Sequence, residues 1–181
     1  MFHKLESRHD IERGYLGELQ CRFGQIVNNK FTGITYYAPD AEVVDKMFAI
    51  LRICQEDRSK FQPIAMLINC AEVPPHTDSG ILTTVNFYVE TANGVTKFFN
   101  RTNATVGKKL HNQTDGSIFD KESLEVHSSF CANSGDIYVL NVKEIHSVFS
   151  EPGKDRFAYC LQTSMIPYEQ VLQMLCTKNL V

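Results

Sequence analysis

Apolar and polar positions along this chain of 181 residues change rhythm partway through. In "PDAEVVDKMFAILRICQ" (39–55), apolar residues recur every three or four positions. Val43, Val44, Met47, Phe48, Leu51 and Cys54 fall on one stripe behind Asp40, a candidate N-cap, so the spacing predicts an amphipathic helix packed on a sheet. From Pro63 to Met165 the pattern becomes short β-like runs bounded by turn residues: "PIAMLINC", "AEVPPHTD", "ILTTVNFYVE", "GVTKFF", "LEVHSSFC", "DIYVLN", "EIHSVF" and "RFAYCLQTSM". A polar segment from Asn100 to Ser123, too long for a tight turn, separates the fourth run from the fifth. "FTGITYY" predicts one earlier strand, and "PYEQVLQMLCTK" a closing helix with Pro167 in its first turn. Eight short strands flanked by few helices predict a mainly β fold, a sandwich or cupin-like jelly roll.

Length predicts a single domain: 1–62 as N-terminal support, 63–165 as the jelly-roll core and 166–181 as a C-terminal helix. A net charge of −3 exerts no global pull toward nucleic acid. No apolar run reaches the length of a bilayer span, and "MFHKLESRHDIERGYLG" lacks the apolar centre of a signal peptide, so the cytoplasm is the expected compartment. The six cysteines form no C-x-x-C pair, which argues against a zinc knuckle or a dithiol redox centre; buried free thiols are expected. N-x-T triplets at Asn100, Asn103 and Asn112 carry no meaning in a cytosolic chain.

The candidate chemistry starts at "HTD". His76 and Asp78 are two apart at the end of a β run and therefore share a face. An imidazole beside a carboxylate suits a metal better than a core. His146 in "EIHSVF" is the candidate third ligand, and two His with one carboxylate leave open positions on a non-haem Fe(II) ion. Arg156, ten residues on, could pair bidentately with a carboxylate. Alone, a His-x-Asp is common by composition; the order of all four residues on predicted strands is the signal. A zinc-binding or non-catalytic cupin-like jelly roll could use the same triad, and a simple surface pair is a further alternative. His3 and His9 fall near an expectedly mobile terminus, His111 in the polar segment, and His127 on a β run without a partner at ligand spacing, as a satisfied or surface residue. Lys108 and Lys109 read as a solvated loop.

With the pieces "TVNFYVE", "GVTKFF", "SGDIYVL", "IHSV" and "DRFAY" in this order around "HTD", the segment from Pro63 to Met165 resembles the Fe(II)- and 2-oxoglutarate-dependent dioxygenase superfamily, closest to its prolyl-hydroxylase-like branch. The resemblance implies a double-stranded β-helix with His76, Asp78 and His146 as iron ligands, Arg156 on the distal carboxylate of 2-oxoglutarate, and "EPGKD" as a corner between sheets. It implies an aromatic hydroxyl on the third strand at the same carboxylate, which register places at Tyr88, with Asn86 on its face as a weaker contact to cosubstrate or substrate; ordinary strand packing is the alternative for both. The activity implied is hydroxylation of an unidentified substrate, small molecule or peptide, with dioxygen consumed and succinate and CO2 released. Three positions depart from related patterns: Ala158 replaces a Ser or Thr, Gln162 replaces the second Arg of nucleic-acid demethylases, and "INCAEVPP" lacks a Tyr-x-x-Gly.

Overall fold

The structure, a computed structural model, describes residues 1–181 except Asn29, Ala104 and 110–115. His111 and the triplet at Asn112 therefore lie outside the described residues. In chain order the elements are β1 (Phe2–Arg8), β2 (Leu19–Val27), β3 (Lys30–Tyr37), α1 (Ala41–Ile50), α2 (Gln55–Arg58), β4 (Gln62–Ile68), β5 (Glu72–Thr77), β6 (Thr83–Glu90) and β7 (Val95–Arg101). There follow β8 (Gly107–Lys109), β9 (Ser117–Phe119), a 3-10 turn (Lys121–Ser123), β10 (Leu124–Cys131), β11 (Asp136–Asn141), β12 (Ile145–Phe149), β13 (Arg156–Thr163) and α3 (Tyr168–Cys176).

They build two antiparallel sheets, one ordered β1-β11-β6-β13-β4-β3-β2 and the other β10-β7-β12-β5-β9-β8. This is the jelly roll the eight runs predict: β4 to β7 and β10 to β13 match them in order, and within each group of four successive strands alternate between the two sheets. The central strands of the large sheet are covered on both faces, which explains why "RFAYCLQT" shows no polar alternation. Phe157, Tyr159 and Leu161 pack toward Met47, Phe48, Val171 and Leu175 in the helix layer. Ala158 and Cys160 face the interior with Tyr88, Phe98 and Phe130.

Four expectations change. The helix α1 stops at Ile50 because Arg52 takes a left-handed φ of 51°. Its N–H bonds the Ala49 carbonyl and that of Ile53 bonds Phe48, a Schellman stop made without glycine. Cys54 consequently leaves the apolar stripe and is exposed. Of the six thiols only Cys160 is buried; Cys70 is half-buried and Cys21, Cys54, Cys131 and Cys176 are exposed. The N-terminus is not loose either. The strand β1 pairs with β11, and Asp136, almost fully buried, takes Lys4 Nζ at 2.9 Å and the Asn133 N–H at 2.9 Å. His9 packs on Phe87 rather than drifting. The polar segment also contains β8 and β9, a small hairpin added to the edge of the second sheet beside β5.

Candidate metal centre and anion cleft

The site forms where β5 and β12 lie side by side. Their register sets His76 directly opposite His146, with ring centroids 4.3 Å apart. Beyond Thr77 the chain leaves the sheet, and the Asp78 N–H bonds the Val142 carbonyl at 3.0 Å, which ties the carboxylate loop to the turn before β12. Gly80, at φ 70°, then allows the reversal into β6. As a result Asp78 Oδ1 lies 3.3 Å from His76 Nε2 and 3.7 Å from His146 Nε2. One ligand atom from each of the three residues falls within 4.8 Å of the others.

Both imidazoles are oriented from behind. His76 Nδ1 is 2.8 Å from the Pro74 carbonyl and His146 Nδ1 is 3.0 Å from that of Glu144. A carbonyl can only accept, so each Nδ1 carries a proton; the Nε2 of His146 offers its lone pair inward, and that of His76 faces the Asp78 carboxylate and offers its lone pair once it gives up its proton. Phe98, 5.8 Å away and nearly parallel, backs the His146 ring. Burial, then the neighbouring His76 charge, pushes His146 down to about 4, so it is neutral at pH 7. Burial also works against a charged His76, but the Asp78 hydrogen bond and charge outweigh it and leave His76 above its ordinary value. For Asp78, burial opposes ionisation and is overcome by His76, His146 and Lys143, so the carboxyl sits below its ordinary value.

Across the cleft, the large sheet presents Arg156, Tyr88 and Asn86 to the same space. Arg156 is 2% exposed. Its Nη2 donates to Thr96 Oγ1 at 2.9 Å, and its guanidinium lies 4.8 Å from the centre of the Tyr88 ring. Its Nε and Nη1 have no hydrogen-bond partner among the described residues. Gly94 makes this pose possible, since a Cβ there would come within 2.7 Å of Nη1. A buried guanidinium with two idle donors is a costly arrangement unless an anion completes it.

All six residues singled out in the sequence thus line one cleft. Sequence reasoning assigned no role to Thr96, although it is the Thr of "GVTKFF", nor to Tyr36, Thr84 and Cys160, which line the same space. Thr96 supplies a hydroxyl near Arg156 where Ala158 has none. His127 is a surface residue 3.5 Å from the Glu144 carboxylate and takes no part.

No protein-family model matches this sequence. No curated protein matches it either. Among solved structures, Escherichia coli ycfD superposes with a TM-score of 0.53 at 11% identity, over 94% of this chain and 43% of its own. A second structure of that protein, described as a ribosomal oxygenase in complex with cobalt and 2-oxoglutarate, gives 0.48 at 12% identity, over 94% of this chain and 42% of its own. The epimerase SnoN, in complex with Fe3+, alpha ketoglutarate and nogalamycin RO, gives 0.47 at 13% identity over 80% of this chain and 67% of its own. The present chain spans less than half the length of ycfD. At these identities the likeness is one of fold, and the fold is the cupin-like jelly roll.

Proposed function

We propose that this protein is an Fe(II)- and 2-oxoglutarate-dependent oxygenase that hydroxylates a substrate not yet identified. The observation that carries the reading is Arg156: a buried guanidinium, with two donors unused, across one cleft from a convergent His-Asp-His triad. A zinc site needs the triad but not the arginine, and a binding module needs neither. The donor set fits iron because two imidazole nitrogens and one carboxylate leave coordination positions free. The pocket fits a dicarboxylic 2-oxo acid because the cation stands apart from the triad at the cleft's other wall.

In this reading His76, Asp78 and His146 hold the metal, while Arg156, Tyr88 and Thr96 receive the distal carboxylate. Asn86 lies alongside as a contact to cosubstrate or substrate. Bound iron and 2-oxoglutarate supply the oxidation, consuming dioxygen and releasing succinate and CO2 with the hydroxylated product. The chain's own work is to orient both ligands and limit water in the cleft. Residues 63–165 form the catalytic core, supported by 1–62 and 166–181, and the motif order favours the prolyl-hydroxylase-like branch. The reducing cytoplasm suits a chain whose six cysteines are all free. No helix among the described residues is long and apolar enough to cross a membrane.

The test is an anaerobic titration with Fe(II) and 2-oxoglutarate, followed by the visible charge-transfer band of the chelate. His146→Ala should abolish the band. Arg156→Ala should leave Fe(II) binding intact and weaken 2-oxoglutarate binding by about a hundredfold, the scale of losing a buried charged hydrogen-bond partner. Wild-type protein that binds Fe(II) yet gives no band rejects the oxygenase reading.

A further inference from the structure

Three side chains of β6 form a hydrogen-bonded row that the cosubstrate reading does not by itself explain. Thr84, Asn86 and Tyr88 are two apart, share the cleft face of the strand and are all buried. Thr84 Oγ1 donates to Asn86 Oδ1 at 2.8 Å. Asn86 Nδ2 in turn donates to Tyr88 Oη at 3.3 Å.

In the structure this row runs from Thr84 through Asn86 to Tyr88. A hydroxyl can give its proton to an amide oxygen but not to an amide nitrogen. The Thr84 hydroxyl therefore holds the Asn86 amide with its oxygen toward Thr84 and its NH2 toward Tyr88. That NH2 occupies a lone pair on the Tyr88 oxygen and leaves the phenolic proton available. In the flipped amide the NH2 would donate to Thr84 Oγ1 and Tyr88 would become the donor toward Asn86, spending the proton the cleft needs; the orientation with Thr84 donating to Asn86 Oδ1 leaves that proton available.

We propose that Thr84 is a positioning residue which, through Asn86, sets Tyr88 as a hydrogen-bond donor to the distal carboxylate of a 2-oxo dicarboxylic acid held by Arg156. This rests on the oxygenase reading above. Arg156 supplies charge, but its ring-stacked pose over Tyr88 leaves the tyrosine hydroxyl to supply direction. Charge alone does not separate one anion from another; a donor at a fixed place does. Thr84 acts by fixing the orientation of its neighbour.

The experiment compares two probes on the Fe(II)-loaded protein under argon: 2-oxoglutarate, and 2-oxobutyrate, which keeps the chelating head and lacks the distal carboxylate. The variants are Thr84→Val, Thr84→Ser, Tyr88→Phe and Thr84→Val/Tyr88→Phe, each with its melting curve and Fe(II) affinity measured first. Thr84→Val should weaken 2-oxoglutarate about tenfold, as expected for one hydrogen bond to a charged group, and leave 2-oxobutyrate unchanged. Thr84→Ser should restore the preference. Tyr88→Phe should match Thr84→Val, and the double variant should lose no more than either, because both act through one hydroxyl.

Equal loss for both probes would assign Thr84 a packing role and overturn the inference. So would a Thr84→Val protein that binds 2-oxoglutarate like wild type, or a double variant whose losses add. If wild-type protein itself shows no preference for 2-oxoglutarate over 2-oxobutyrate, the anion site fails and this inference falls with it. Failure of the row alone leaves the wild-type preference standing.

Discussion

At the scale of single residues, the candidate metal centre depends on how three titrating groups share protons. His76 stands above its ordinary value, held there against its burial by Asp78, while His146 is pushed down to about 4 by burial and by the neighbouring His76. A metal must displace a proton from His76 but not from His146 until the medium is strongly acid. Metal affinity should therefore rise with pH and level off above the His76 value. Below it, affinity should fall about tenfold per pH unit, the slope of one proton displaced, and steepen only near pH 4. Anaerobic Fe(II) titrations between pH 5 and 8 check this; a two-proton slope across that range would contradict the assignment. The four candidate residues that meet in the cleft could be placed from the sequence because strand alternation carries position: "HTD", "EIHSVF" and "RFAYCLQT" place them on predicted strands. Thr96 was not, because a threonine in a strand is ordinary and its role exists only beside Arg156.

At the scale of elements, the strand β1 is held to β11 by Asp136. Burial works against this carboxylate, yet the Asn133 N–H, Lys4 and Arg8 outweigh it and hold its pKa below the ordinary value. A folded-state pKa depressed in this way contributes stability above the unfolded value of about 4, and the contribution is lost as pH falls through the folded value. Asp136→Asn should thus cost about 1–3 kcal/mol at neutral pH, since it weakens the bonds to Lys4 and the Asn133 N–H. Urea unfolding at pH 7 and at pH 2–3 checks both size and sign: the gap from wild type should shrink in acid. The strand itself went unseen in the sequence because "FHKLESR" is polar at most positions, with Leu5 alone fully buried. The strand β2 was hidden for a stronger reason. All nine of its residues are exposed, so neither face imposes an alternation.

For the whole molecule, the cleft sits between the two sheets, so occupying it should stabilise the fold. Fe(II) and 2-oxoglutarate, added together under argon at about a hundred times their joint Kd, should contribute about 2.7 kcal/mol. For a chain of this size that raises the melting temperature by about 5–10 °C. Arg156→Ala should lose the share owed to 2-oxoglutarate and keep the share owed to metal; equal shifts in both proteins would place the anion elsewhere. The sequence by itself determined the layer architecture and the eight core strands, because burial on a sheet writes a period of two and the turn residues punctuate it. It also determined which side chains could ligate and which cation could meet a carboxylate, because those are properties of residue type and strand parity. Only the tertiary structure decided that these groups converge. The pairing of β5 with β12 brings imidazoles seventy residues apart into contact, and the crossing between sheets at 151–155 carries Arg156 to the wall opposite them. Such contacts are set by the pairing of distant strands, and no local window of sequence records which strand lies beside which.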